Sequence, residues 1–468
     1  MDPRRDPAPG ARTVSGSAHA IDTAVRVASE LDLAHVPEPT LRRALLVIAD
    51  TVAVATAGAR TPEIAALVAL DEHDALVTPV DRAGAGHTAT VLTTPHRRAH
   101  PAHAAFINAT AGTSLELDEG MRPTGHPGMH VIPAALAVAE RAHATGADLV
   151  RAVLAGYEVS SRLFRAFRLR QGVHPHGHIG AVGAAVAVAL LDGTDPVTAA
   201  EIAATSPLLS VWQSCYDGAT ARNAYTGHAA QSGVRASALA RAGFTGSAGA
   251  LEVAFGQVAG ELADEAALTA PLRYDDLGIT RNYFKVHSAC ALSHSAVEAG
   301  LALAPVRPEE IREVLVETVS VNLKIDRQPV ANDLSGRFSL QYAVATALVL
   351  GRSDVEAFRF RPEIAAVAEK VRVSVLPEFE AEWPDSAPAR VTVVTGGGSA
   401  AETVRNPRGH HTRPLTEAEH QEKFAALVGD RRTAAAWWER LGGLLTVSDC
   451  ASLLEADPDG AGPSGGAP

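Results

Sequence analysis

Residues 116–133, ELDEGMRPTGHPGMHVIP, crowd Glu116, Asp118, Glu119, Arg122, His126 and His130 among prolines and glycines. So many polar and turn-forming residues are hard to bury as core and hard to solvate as a plain linker. Proline and glycine fix an irregular backbone, and such backbone held between helices often presents reactive side chains. The alternative is an ordinary interhelical loop that carries a few histidines.

Four other stretches could contribute chemistry. His174, His176 and His178 alternate in HPHGH, just before a Gly/Ala-rich run. Three imidazoles on one face of an extended segment could bind zinc. No carboxylate sits beside them at ligand spacing, however, and Pro175 and Gly177 suggest a turn, so no metal site is expected. Anion binding or proton transfer fits better, helped by the free N–H groups of the helix that follows. Arg222 opens RNAYTGHAAQSG, which also holds Gly227 and His228. Its planar fork suits a carboxylate or phosphate, though a surface arginine ahead of a helix reads the same. Lys285, His287 and His294 fall in YFKVHSACALSH with few acids nearby, either as a site or as a solvated surface. Tyr342 closes FSLQY, where a buried hydroxyl would serve as a structural hydrogen bonder or a proton donor.

Something must position these groups. The chain has 468 residues, too many for one simple core. Its composition is globular, 47% hydrophobic and 20% charged, and with only 4% aromatics the core must be built from Ala, Val and Leu. A net charge of −12 argues against nucleic acid as a partner. Three cysteines without a CxxC pair argue against a disulfide scaffold or an iron–sulfur cluster. No apolar run approaches the ~20 residues of a membrane span, and a soluble cytoplasmic protein is expected. Helices are expected at 41–58 (ended by Gly58), 134–144 and 148–164, and one capped by Thr198 and Glu201. Alternation predicts strands at 319–323, 371–375 and 391–393, separated by helices at 340–350 and 362–370. Thr416 and Glu419 form a further capping box. The expected division is a helical domain from 18–275 and 412–455, with a smaller α+β domain, 276–411, inserted as a lid. Disordered tails are expected at 1–17 and 456–468. A cleft between such domains is a common small-molecule site.

In this order the stretches resemble the MmgE/PrpD family, whose members include dehydratases, decarboxylases and epimerases of small acids. The resemblance rests on LDEG…HPG at 117–128, GVHPHGHIGAVGAA at 172–185, TGHAAQSG at 226–233, KVHSACALSHSA at 285–296 and RFSLQYAVATAL at 337–348. KVRVSV at 370–375 and NPRGHHTRPLTEAEHQEKF at 406–424 add to it. It implies a mostly α fold, a large helical domain with an inserted α+β lid, assembled as a homodimer and working without metal or organic cofactor. It also implies a small anionic substrate. By the same resemblance His126 is the base or acid, Lys285 stabilises charge, Tyr342 donates a proton and His174 lines the pocket. His130, His228 and His294 are further candidates without assigned roles. Glu116, Gly120 and Arg222 stand where the decarboxylase-like pattern has aspartate, threonine and lysine, which points to an altered pocket. The expected activity is a cofactor-independent lyase that removes a proton alpha to a carboxylate or similar group and expels water, phosphate or carbon dioxide. A role in specialised metabolite biosynthesis fits this reading. An epimerase using the same base and a non-catalytic homologue are the alternatives.

Overall fold

The computed structural model describes residues 17–80 and 88–454, and the expected tails lie outside that range except for Ser17, which opens the first helix. The fold is mostly α. Helices Pro101–Thr113, Pro127–Ala142, Gly146–Ala166, Ile179–Asp192 and Ala224–Arg241 pack against one another, with Ile179–Asp192 at the centre. That central helix is buried from Ile179 through Ala189 and is apolar all round, as a core helix must be. Glycine and alanine on its faces allow close helix–helix approach.

Several boundaries differ from expectation for local reasons. Glu38–Gly58 begins before residue 41, because Pro39 suits a first helical turn. Gly58 does not end it through a left-handed cap: a Cβ there would collide with the Ala111 backbone, so this glycine serves the contact with Pro101–Thr113. Thr198 is not a cap either. The helix starts at Pro196, and Asp195 accepts from the Thr198 amide at 2.9 Å. Aspartate followed by proline is the stronger start signal. The helical part also contains a three-stranded sheet, Val77–Pro79, Arg97–Ala99 and Ala89–Val91, in that order.

The later part of the chain holds a four-stranded sheet ordered Gly398–Val404, Ala389–Thr395, Ile311–Thr318, Val371–Val375. The first three strands run antiparallel and the last is parallel to its neighbour. Val314, Val316, Val391 and Val393 share a core with Leu340–Leu350 and His294–Leu303. The strand expected at 319–323 is instead Ile311–Thr318, and residues Ser320–Ile325 form a 3₁₀ helix. Five residues of alternation fit either; the strand is the segment whose buried Val314, Val316 and Thr318 alternate with outward groups. Finally Glu417–Val428, capped by Thr416 and Glu419 as expected, and Arg431–Gly442 return to the first half. Phe424, Leu427 and Trp437 enter the same core as Val47 and Val54. Among the described residues no single helix is long and apolar enough to cross a membrane.

Candidate active site

Gly120–Met121 pairs antiparallel with Asn282–Tyr283, and this short ladder brings the 116–126 segment against the start of the second half. A Cβ on Gly120 would meet the Tyr283 hydroxyl, so the glycine leaves no open space; the tyrosine fills it. The ladder sets Lys285 beside the acids of the segment. Its Nζ donates to Glu116 Oε2 at 2.8 Å and to Asp118 Oδ1 at 3.0 Å.

From there a chain of charges runs in both directions. Glu116 Oε1 lies 2.6 Å from Arg222 Nη1, and Asp118 Oδ2 lies 2.9 Å from His126 Nδ1. Arg222 is 1% exposed, so the surface-arginine alternative fails, and its guanidinium also lies 4.8 Å from the Phe338 ring. Glu116 adopts φ 52, a costly conformation for a non-glycine residue, and its two ion pairs hold it there. With both carboxylate oxygens engaged, Glu116 is an anchor rather than a free base. Burial opposes ionisation of Asp118, but Lys285 and then His126 outweigh it and hold the carboxyl well below its usual range. Burial likewise opposes the Lys285 charge, yet Asp118 and Glu116 keep it a permanent cation.

His126 caps Pro127–Ala142, so the expected loop is helical from Pro127 onward and Pro133 lies inside the helix. Its Nδ1 donates to the Glu119 carbonyl at 2.7 Å. Both neighbours of Nδ1 are acceptors, so Nδ1 carries a hydrogen, and in the neutral ring the lone pair lies on Nε2. Behind it the Glu119 carboxylate accepts from the Gly128 amide at 2.6 Å and from Tyr157 at 2.8 Å.

The three alternate histidines divide. His174 Nδ1 accepts from the His176 amide at 3.2 Å, which leaves Nε2–H as a donor, and burial, then Arg222, keeps the ring neutral. His178 accepts from Ile179 and donates to the His174 carbonyl as the cap of its helix. His176 is buried between them, its ring 4.4 Å from that of His126. Asp118, His126 and His176 are close enough to suggest a ligand set. Lys285 already bonds Asp118 Oδ1, however, so a divalent ion on this set would share the carboxylate with a fixed ammonium.

His126, His174, Arg222 and Lys285 line one pocket with Glu116, Trp212, Tyr283 and Phe338, around about 80 Å³ of free space. Its walls carry Arg122, Arg222, Lys285 and Lys324 against one carboxylate, Glu116. Lys324 has no ion-pair partner among the described residues and sits 6.0 Å from the Trp212 ring. In the 3₁₀ turn, Val321 and Lys324 are three apart and therefore eclipse, which puts both in the wall.

Four expected site residues lie elsewhere. Tyr342 is outside the pocket: its hydroxyl donates to the Arg359 carbonyl and accepts from the Arg361 amide, both at 2.9 Å, and has no capacity for proton donation to a substrate. His130 donates to the His126 carbonyl at 2.6 Å and accepts from Gly177 at 3.1 Å, so both ring nitrogens are used in the backbone framework. His228 is exposed against Phe106. His294 is buried beside His287, with Nε2 bonded to the Ala289 carbonyl at 3.1 Å. The pocket tyrosine is Tyr283, whose place two residues before Lys285 on an extended segment could have revealed a shared face. Asp118 stood in plain view within LDEG; only the fold shows that it is the acid on His126.

The buried ionisable groups predict a pH profile of stability. Burial pushes His130 down to about 3 and His178 to about 4, whereas an unfolded histidine titrates near ~6.5. Below that value the unfolded chain takes up protons that the fold refuses, so stability is lost as pH falls. Burial also pushes Glu119 and Glu140 up to about 7, which has the opposite sign between pH 7 and the ordinary carboxyl value of ~4.3. His174, His176 and His294 are lowered too, so imidazoles outnumber these carboxyls. Urea midpoints should therefore fall from pH ~6.5 downward, and faster below ~4.3, where the glutamate offset ends and the unfolded chain begins to protonate Asp118 while the fold keeps it ionised. A midpoint that rises from pH 6.5 to 4 would contradict these assignments.

Comparison with known proteins places the chain among relatives. Residues 23–266 match the model of the MmgE/PrpD N-terminal domain, and residues 287–439 that of the MmgE/PrpD C-terminal domain. Cis-aconitate decarboxylase of Homo sapiens is 26% identical, covering 72% of this chain and 75% of its own. The Mus musculus enzyme is 24% identical over 85% of this chain and 84% of its own. A cis-aconitate decarboxylase of Aspergillus terreus is 26% identical over 92% of this chain and 94% of its own. Together the two domain matches account for most of the sequence, and the chain belongs to the MmgE/PrpD family.

Proposed function

We propose that the protein is a lyase that moves a proton at a carbon alpha to a carboxylate in a small polyanionic acid and expels carbon dioxide, water or phosphate. The observation that carries this reading is the state of His126. Its Nδ1–H donates to the Glu119 carbonyl with the Asp118 carboxylate 2.9 Å away, leaving Nε2 to take a proton from carbon in an elimination, or to return one to carbon after carbon dioxide leaves, in a pocket walled by cations. Asp118 orients the ring and stabilises the imidazolium that forms when Nε2 takes a proton. Charge that develops on the substrate carboxylate meets Lys285, which directs two of its three N–H bonds to Glu116 and Asp118 and keeps the third. His174 Nε2–H supplies a neutral donor, and Lys324 and Arg122 are placed for the remaining anionic groups. Burial, first of all, raises the Tyr283 hydroxyl above its usual range, so it stays protonated and suits the acid role toward a leaving group. The relatives' activity favours carbon dioxide among the leaving groups.

The test is turnover in D2O with cis-aconitate, citrate-like acids and phosphorylated hydroxy acids, followed by NMR and carbon dioxide trapping. One solvent deuterium at carbon per turnover is expected for loss of carbon dioxide or for epimerisation, whereas elimination of water or phosphate takes a proton off carbon and adds none. Carbon dioxide release identifies decarboxylation, a new alkene without it identifies loss of water or phosphate, and exchange without a new product identifies epimerisation. A full panel with neither product nor deuterium exchange would sink the reading.

A further inference from the structure

A second cavity, about 580 Å³, opens between the two halves on the far side of the 114–116 segment. It contains no base of the kind His126 provides. Its walls carry Arg60, Arg337 and Arg359 together with Glu63 and Asp333, beside Ser114 and Asn223. Arg60 is committed to the carbonyls of Leu427 and Val428, and Arg359 to Glu356. Arg337 is different. It is 6% exposed, its Nη1 donates to the Ser114 carbonyl at 2.9 Å, and its Nε is buried without a hydrogen-bond partner. No carboxylate among the described residues forms an ion pair with it, and the nearby Asp333 is used by the Phe360 amide at 2.7 Å. A buried guanidinium with no contacting counter-ion is unfavourable, and burial lowers its proton affinity, offset only in part by the more distant Asp333, Glu116 and Glu63. The edge of the fork on the Nε side is the one that binds carboxylate or phosphate in bidentate fashion.

We propose that this cavity is a binding site for a small oxyanion, carboxylate or phosphate, taken at Arg337 and distinct from the pocket of His126. The site reaches the active-site charges by short covalent paths. Arg337 holds the carbonyl of Ser114, two residues before Glu116, and Asn223 in its wall follows Arg222. The proposal stands independently of the reaction assigned above.

The test is calorimetric titration of the full-length protein with inorganic phosphate and, separately, with succinate. Arg337→Gln is expected to weaken binding about 10- to 100-fold, the range of a lost charge-assisted hydrogen bond. Thr220→Glu adds a charge at the exposed rim without touching the core and is expected to weaken binding through repulsion; it decides the matter if Arg337→Gln does not fold. Lys324→Gln, in the other pocket, should leave this binding intact. Phosphate without succinate identifies a phosphate ligand, and the reverse a carboxylate. The proposal is overturned if neither anion binds at millimolar concentration, if Thr220→Glu binds like the unaltered protein, or if binding disappears with Lys324→Gln.

Discussion

His126→Asn is expected to lower kcat by about 10²- to 10⁴-fold, the range for loss of a positioned general base, while leaving the melting temperature close to that of the unaltered protein. The asparagine amide can occupy the place of Nδ1–H, donating to the Glu119 carbonyl as the imidazole does and turning its second N–H toward the Asp118 carboxylate; the two acceptors lie 2.7 and 2.9 Å from that atom. It has nothing at the position of Nε2. The substitution therefore separates the two jobs of the residue: holding the start of Pro127–Ala142 and taking a proton. His126→Ala removes both. It should lose the same turnover and some stability besides, because Asp118 Oδ2 is buried and would keep no other partner. KM should change little in the asparagine protein, since substrate anions are held by Lys285 and Lys324 rather than by the imidazole. Turnover within about threefold of the unaltered enzyme, far inside the expected ~10²-fold loss, would remove His126 from the base role.

The parts of this site that were legible in sequence are those whose side chains have little to do in a core. Glu116, His126, His174, Arg222 and Lys285 are scattered over 170 positions yet line one pocket. Ionisable groups in turn-rich segments between apolar helices seldom serve packing alone. Tyrosine is different. A buried hydroxyl must find some partner, and Tyr342 finds two in the backbone around Arg359 and Arg361, whereas Tyr283 faces the pocket through a two-residue ladder whose one sequence mark is its spacing from Lys285. Lys324 was hidden by a wrong period. Alternation at 319–323 suggests a strand, and only the 3₁₀ turn places Lys324 in the wall with Val321. Gly398–Val404 escaped for a related reason: it is an outer strand of small and polar residues, so its pairing with Ala389–Thr395 leaves no apolar pattern. The helices were legible because burial of Ala, Val and Leu repeats over several turns; their ends depended on single caps such as Asp195.

Lys285→Met is expected to damage both stability and turnover, and its pH dependence separates the two causes. The ammonium is 1% exposed and bridges Glu116 and Asp118, so its removal leaves two buried carboxylates short of a partner. Breaking a buried pair by deleting one side costs about 3–5 kcal/mol, which urea unfolding at pH 8 should detect. Arg222 still pairs with Glu116 and His126 with Asp118, so the lower end of that range is the better expectation. Lys285 is the largest influence lowering the Asp118 pKa, and without it that carboxyl moves up toward its usual range. The stability that the parent gains from its depressed Asp118 carboxyl is lost only as pH falls below the ordinary aspartate value, so the gap between variant and parent should hold from pH 8 to pH 5 and narrow below pH ~4. Adding Glu116→Gln to Lys285→Met removes one stranded charge and should recover part of the stability. It should recover no turnover, because the third N–H of Lys285 is then still missing from the pocket. If Lys285 were only a strut between the halves, stability and turnover would return together in the double variant. Recovered stability with turnover still depressed would instead place the lysine among the groups that meet substrate charge.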